Sequence, residues 1–206
     1  AHNLQHLRAE WCYGTVLPAN WKIAMEAFME GYHVQTTHPQ LQKAAPMLYD
    51  GMYVRPRAEF QLADPGKSLR ENVEVQLESM QLLSEGMAGM VHQKEVDIAK
   101  SLADVDNLGM EFPEDRNQAL LMWLGVVQDQ ITKRLQAKGE PVPDLNSVCV
   151  SHPINAVEFL FPHYFLLPYF SSFSAYRIRP LGPESCIFEI WSLTTYPEGQ
   201  EPDAVM

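Results

Sequence analysis

The last third of the chain constrains the fold most. Beyond Pro141-Val142-Pro143 come three runs, VEFLFPHYFLLPYF, SSFSAYRIRP and SCIFEIWSLTTYP, rich in aromatic and β-branched residues and separated by Gly or Pro. This is the composition of strands bounded by turns, and it predicts three strands of an antiparallel sheet.

The middle third reads differently. Ser68-Leu69-Arg70-Glu71 has the S-x-x-E spacing in which serine and glutamate satisfy the free amides of a helix start reciprocally. Leu69, Val73, Leu77, Met80, Met87 and Met90 or Val91 continue one apolar stripe at three- and four-residue steps. A second helix is predicted over residues 114–138, with Leu120, Leu124, Val127, Ile131 and Leu135 facing inward and Gly139 ending it in the left-handed conformation. Toward the N-terminus, WKIAMEAFMEGYHVQTTH predicts a helix with a broad apolar face of Ile23, Met25, Phe28, Met29 and Tyr32, closed at His38 because Pro39 disfavours helical geometry in the residue before it. The segment MYVRPRAEFQL, residues 52–62, is predicted as a further strand. Helices and strands segregated in this way define an α+β fold, with the helices on one side of a curved sheet.

No repeat or low-complexity tract divides the 206 residues, and 46% hydrophobic with 20% charged composition suits a single domain, 1–206. A chain of this size buries roughly 70% of its unfolded surface. The net charge of −11 gives a phosphate backbone no electrostatic footing, so nucleic acid is not an expected partner. The most apolar stretch, Phe159 to Phe170, is 12 residues long and carries Pro162, His163 and Pro168. A membrane span needs about 20 apolar residues, so none is expected. The opening AHNLQHLRAEW lacks the cationic-then-apolar form of a signal peptide and reads as a start made within a longer protein. Cys12, Cys149 and Cys186 are too few and scattered for a disulfide framework, which points to the cytoplasm.

Of the seven histidines, His33 and His38 alone stand close together with an acid, in Glu30-Gly-Tyr-His33-Val-Gln-Thr-Thr-His38. On a regular helix, positions five apart point about 140° away from each other, so the pair can grip one ion only if the helix is distorted. Pro39 is a reason for distortion, and Glu30 lies one turn before His33 on the same face. Two neutral imidazoles suit Fe, Zn, Cu or Ni, and two histidines with one carboxylate and open positions are the ligand set of non-haem Fe(II) oxygenases. On spacing alone, two hydrogen-bonded surface or core histidines are the simpler reading.

The words around the spacing change that weighting. Asn20-Trp21-Lys22, then Glu26-Ala27-Phe28-Met29-Glu30-Gly31-Tyr32-His33, then His38-Pro39, resemble the iron-binding segment of the α subunits of Rieske non-haem iron ring-hydroxylating oxygenases. Leu160-Phe161-Pro162, Tyr176-Arg177-Ile178-Arg179-Pro180-Leu181-Gly182-Pro183-Glu184 and Ile190-Trp191-Ser192-Leu193 are similar to the same family, so the resemblance runs from Trp11 to Pro202. It implies a catalytic domain of helix-grip fold, in which a curved antiparallel sheet wraps a long helix beside an apolar cavity. It implies mononuclear Fe(II) held by His33 and His38, and Glu30 as the acid that couples the iron to the Rieske [2Fe-2S] cluster of a neighbouring subunit, so that removing Glu30 slows turnover and leaves iron nearly in place. It further implies a hydrophobic, aromatic substrate, O2, electrons from NAD(P)H through a reductase or ferredoxin, and a homo-oligomer, a trimer of α subunits that some members complete with β subunits.

Departures accompany the matches. The family usually has Asn where this chain has Ala27, and Asn where it has His163. No Cys-x-His and Cys-x-x-His pair is present to hold a Rieske cluster. The third iron ligand implied by the resemblance is an aspartate beyond the Trp191 strand, and neither Glu201 nor Asp203 matches its place. The expectation is therefore a catalytic-domain piece that does not turn over alone. Two other readings remain. In a zinc hydrolase the same histidines would hold zinc and Glu30 would activate water, although no H-E-x-x-H motif is present. In an apolar-ligand carrier the fold would work without a metal. Arg177 and Arg179 alternate on one strand, as anion-orienting groups or as surface charge. His92 and His152 have no second ligand at a useful spacing, and no glycine motif cradles a nucleotide.

Overall fold

The computed structural model describes residues 4–31, 33–44, 62–87, 89–151 and 157–203. Its order is β1 (Arg8–Leu17), α1 (Trp21–Glu26), α2 (Val34–Thr37), α3 (Pro39–Ala44), α4 (Leu69–Gly86), α5 (Gln93–Lys100), α6 (Arg116–Ala137), α7 (Leu145–Ser151), β2 (Glu158–Leu160), β3 (Tyr164–Pro168), β4 (Phe173–Gly182) and β5 (Ser185–Thr194). The predicted strand at 52–62 falls outside the described residues apart from Leu62, which lies in a bend.

The strands form one open antiparallel sheet in the order β1-β5-β4-β3-β2. The predicted three strands thus become four, because the first run folds back on itself at Phe161-Pro162-His163 into β2 and β3. The fifth strand, β1, was not expected. It pairs with β5 from Arg8↔Thr194 to Leu17↔Cys186, a contact between the two ends of the chain that no local pattern announces. One register row crosses the whole sheet: Tyr13, Ile190, Tyr176, Phe165, Phe159. Side chains alternate between faces along a strand, so these five share one face and Trp191, Ala175 and Leu166 share the other.

The helices keep most of their predicted character. Ser68 and Glu71 form the reciprocal cap, and Leu69, Val73, Leu77 and Met80 are buried. The stripe runs on to the buried Met90 and Val91, but α4 itself ends at Gly86. In α6, Leu120, Val127, Ile131 and Leu135 are fully buried together with Trp123, whose indole N–H donates to the Leu102 carbonyl at 2.9 Å. Gly139 has φ +85°, the left-handed stop expected there. Helices α4 to α7 enclose an apolar core of their own. A second core lies between the sheet and α1, and Leu83 and Tyr169 touch both. Helices and an antiparallel sheet segregated along the chain make the α+β class.

The N-terminal helix departs from expectation. It breaks after Glu26, well before Pro39, and Pro39 opens α3 instead of closing a helix. The first helical position suits proline, since its missing N–H would have had no partner there. His38 is nevertheless non-helical, at φ −127° and ψ 57°, as a residue before proline should be. Of the five predicted apolar residues, Met25 is buried and Phe28 is packed, Ile23 and Met29 are exposed, and Tyr32 lies outside the described residues.

Candidate functional site

The site is built on three short pieces of chain. Helix α1 starts at Asn20, whose side-chain oxygen accepts the Lys22 amide at 2.9 Å. Six residues are too few for a helix to persist alone, so packing holds it in place. Met25 enters the sheet-side core, and after two turn bonds, Phe28 N–H to Met25 O and Met29 N–H to Glu26 O, the Phe28 ring follows. That ring stacks on Phe165 at 4.8 Å between centroids and meets Tyr176 at 4.9 Å and Phe188 at 6.0 Å, which ties the segment to β3, β4 and β5 together.

Beyond this anchor stand the three residues singled out from the sequence. Glu30 Oε2 accepts the backbone N–H of His33 at 3.2 Å, and Glu30 Oε1 pairs with His33 Nδ1. His33 then leads α2, and the helix turn returns His38 to the same side, with its N–H donating to Val34 O at 2.9 Å. The two imidazole rings lie 5.5 Å apart between centroids at 73°. The distortion that brings them together is the break between α1 and α2 joined to the non-helical His38.

The donor chemistry fits one transition-metal ion. With metal–nitrogen bonds of about 2.1 Å, each ring centroid stands roughly 3.2 Å from a shared ion, so two rings 5.5 Å apart lie within reach of it. A carboxylate on Nδ1 favours the tautomer in which Nε2 would be the nitrogen free to hold a metal. Among the described residues no group of three His, Cys, Asp or Glu side chains is poised on one ion. Glu201, one of the two acids near the chain end, sits 3.9 Å from Arg8 at the far edge of the sheet.

Arg177 and Arg179 both make two hydrogen bonds to Glu189, at 2.8 and 3.0 Å each. Arg177 also lies over the Trp191 ring at 5.2 Å. Since Tyr176 faces Phe28, Arg177 faces the other way, and the pair orients nothing beside the histidines. Arg177 above all, then Arg179, hold the Glu189 carboxyl down to about 2 against the cost of its burial.

His92 has a role that sequence reasoning missed, because its partner lies on the unpredicted β1. Its Nδ1 accepts the Lys94 amide at 3.1 Å, capping α5, and its Nε2 meets Glu10 Oε1 at 3.0 Å. Tyr196 O–H donates to the same oxygen at 2.6 Å. These bonds, His92 foremost, hold the Glu10 carboxyl down to about 2. Burial, then the hydrogen bond to Glu10, raises the Tyr196 hydroxyl pKa. Glu10, Trp11, Tyr13, His92 and Ser192 line a cleft of about 460 Å³. The alternating Trp11, Tyr13, Thr15 and Leu17 were the one local signal for β1. His152 is outside the described residues. Cys149 and Cys186 are free thiols that burial pushes up, so neither is poised as a nucleophile.

The fold is an α+β domain with an antiparallel sheet, and His33 and His38 lie 5.5 Å apart on the segment that follows its first helix. The chain belongs to the family of the ring hydroxylating alpha subunit (catalytic domain), whose model matches residues 5–205. The family is one of ring-hydroxylating oxygenases, oxidoreductases that work with mononuclear iron and a Rieske cluster in multi-component systems. No curated protein and no solved structure matches the chain. Among the described residues no helix is long and apolar enough to cross a membrane.

Proposed function

We propose that this chain is the mononuclear-iron domain of an oxygenase that hydroxylates an aromatic or other hydrophobic small molecule, with His33 and His38 as iron ligands. The observation that carries this reading is the joint geometry of three side chains: two imidazoles 5.5 Å apart, one of them held through Nδ1 by Glu30. When bound, Fe(II) with open positions supplies the activation of O2.

The residues of the chain do the rest. Glu30 accepts a hydrogen bond from Nδ1–H of His33, a tautomer that would leave the Nε2 lone pair free for the metal and raise its basicity. Phe28 fixes the segment on the sheet by packing on the buried Phe165 and Tyr176, and the aromatic content of the domain supports an apolar substrate. A curved sheet cupping a helix in the helix-grip manner is the arrangement we propose for the complete domain. Membership of the family supports a route in which electrons from NAD(P)H arrive through a reductase or ferredoxin and a Rieske [2Fe-2S] cluster. Glu30 is proposed to face that cluster across a subunit boundary, in a trimer of α subunits with or without β subunits. The free cysteines support a cytoplasmic setting. Both carboxylate oxygens of Glu30 are engaged with His33, which weighs against the hydrolase reading, where that carboxylate must be free to take a proton from water.

The test is an iron assay and substrate-dependent O2 uptake, with the electron-transfer partners supplied, on the wild-type chain within its complete protein and on His33→Ala. Wild type should retain about one iron per chain, and His33→Ala should lose both iron and uptake. Full uptake in an iron-free His33→Ala protein would overturn the reading. Iron-independent binding of an apolar ligand with no O2 uptake would leave the carrier.

A further inference from the structure

Two stretches that carry the family resemblance, Asn20-Trp21-Lys22 near the start and Arg179 to Glu184 near the end, meet at one side chain. Asn20 Oδ1 accepts the Lys22 N–H at 2.9 Å, and Asn20 Nδ2 donates to the Pro183 carbonyl at 2.6 Å, across 163 residues of chain. Pro183 lies in the turn that joins β4 to β5. Asparagine carries an acceptor and a donor on one rigid plane, so a single side chain caps the helix and ties it to that turn. Aspartate and serine cap as well. Ionised aspartate cannot donate, and serine is too short to span both partners.

This tie differs in kind from the other anchors of the segment. Met25 and Phe28 are held by apolar burial, which fixes the distance from the sheet but is non-directional and permits sliding along it. A hydrogen bond to a backbone carbonyl of a paired hairpin has a direction and a length. Asn20 at one end and Phe28 at the other therefore define where α1 sits on the sheet, and the break that follows α1 is what carries His33 round to His38.

We infer that Asn20 is a positioning residue for the histidine pair: its bond to Pro183 sets the register of residues 20–38 on the β4–β5 hairpin and so the mutual placement of the two imidazoles. The inference rests on the metal-centre reading above. It is tested by Co(II) titration of wild type, Asn20→Asp and Asn20→Ser, followed by visible absorption and by chelator competition, beside thermal melts without metal. Both variants should melt within a few degrees of wild type, yet bind Co(II) about tenfold more weakly, as for loss of an outer support of a ligand, and with shifted absorption bands. Wild-type affinity and bands in both variants would overturn the inference and reduce Asn20 to a helix cap. So would lowered melting temperatures with unchanged Co(II) binding at a temperature where circular dichroism finds the variants folded. Failure of wild type itself to bind Co(II) would overturn the metal-centre reading, and the inference with it.

Discussion

Glu30 grips His33 twice, at the backbone amide through Oε2 at 3.2 Å and at ring Nδ1 through Oε1. The first bond fixes where the residue begins α2 and the second fixes which way its ring turns. A carboxylate that does both is part of the support of its neighbour. The expectation from the family resemblance is that Glu30 can be removed with iron left nearly in place, whereas these two bonds predict a loss of metal affinity.

Replacement of Glu30 by Ala should lower metal affinity by about 10- to 100-fold, the usual cost of losing a ligand's hydrogen-bond partner. Glu30→Gln, whose amide oxygen can still accept from Nδ1–H, should retain most of that affinity. Chelator competition on the two variants measures the difference, and equal affinities would show that the ring needs no such partner.

Phe28 is the apolar anchor of the site segment, stacked on Phe165 and touching Tyr176 and Phe188. Truncation to Ala should destabilise the fold by about 3 kcal/mol, the low end for a packed Phe because this ring is only partly buried. Phe28→Leu should cost less than half as much. Denaturant midpoints with an unchanged m-value would report the loss.

Glu10 should make stability depend on acid. Its folded pKa is lowered to about 2 from 4.5, with the His92 hydrogen bond as the largest cause. A group depressed in the folded state contributes fully above its unfolded value, and the contribution is lost as pH falls through 4.5 toward 2. Glu10→Gln should therefore melt below wild type at pH 6, and the gap should close between pH 4.5 and 2. A gap constant across that range would place the source of Glu10's effect elsewhere than in its charge. Glu10 is partly open to solvent, so the gap should be small and should shrink with salt.

Much of this molecule can be read locally. The capping box at Ser68 and Glu71, the stripes of α4 and α6 and the stop at Gly139 depend on residues three or four apart, and a chain segment carries that information without its surroundings. Pro39 likewise forces His38 out of helical geometry wherever the segment lies. The pairing of Glu30 with His33, three residues apart, was legible as a same-face relation.

What the local pattern left open was decided by contacts distant in sequence. Strand β1 exists because β5 offers it an edge, which is why Arg8 finds Thr194 and why His92 finds a carboxylate at all. Ile23, Met25, Phe28 and Met29 are equally apolar on paper, and the sheet takes only Met25 and Phe28 because α1 is too short to choose its own face. The approach of His33 to His38 belongs to both levels. That no straight helix runs through His38 was legible locally, since helical geometry is disfavoured in the residue before proline. Where the helix breaks, and how the two rings come to lie 5.5 Å apart at 73°, are matters of tertiary packing, since Met25 and Phe28 seat the segment on the sheet and Asn20 bonds the Pro183 carbonyl far away in sequence.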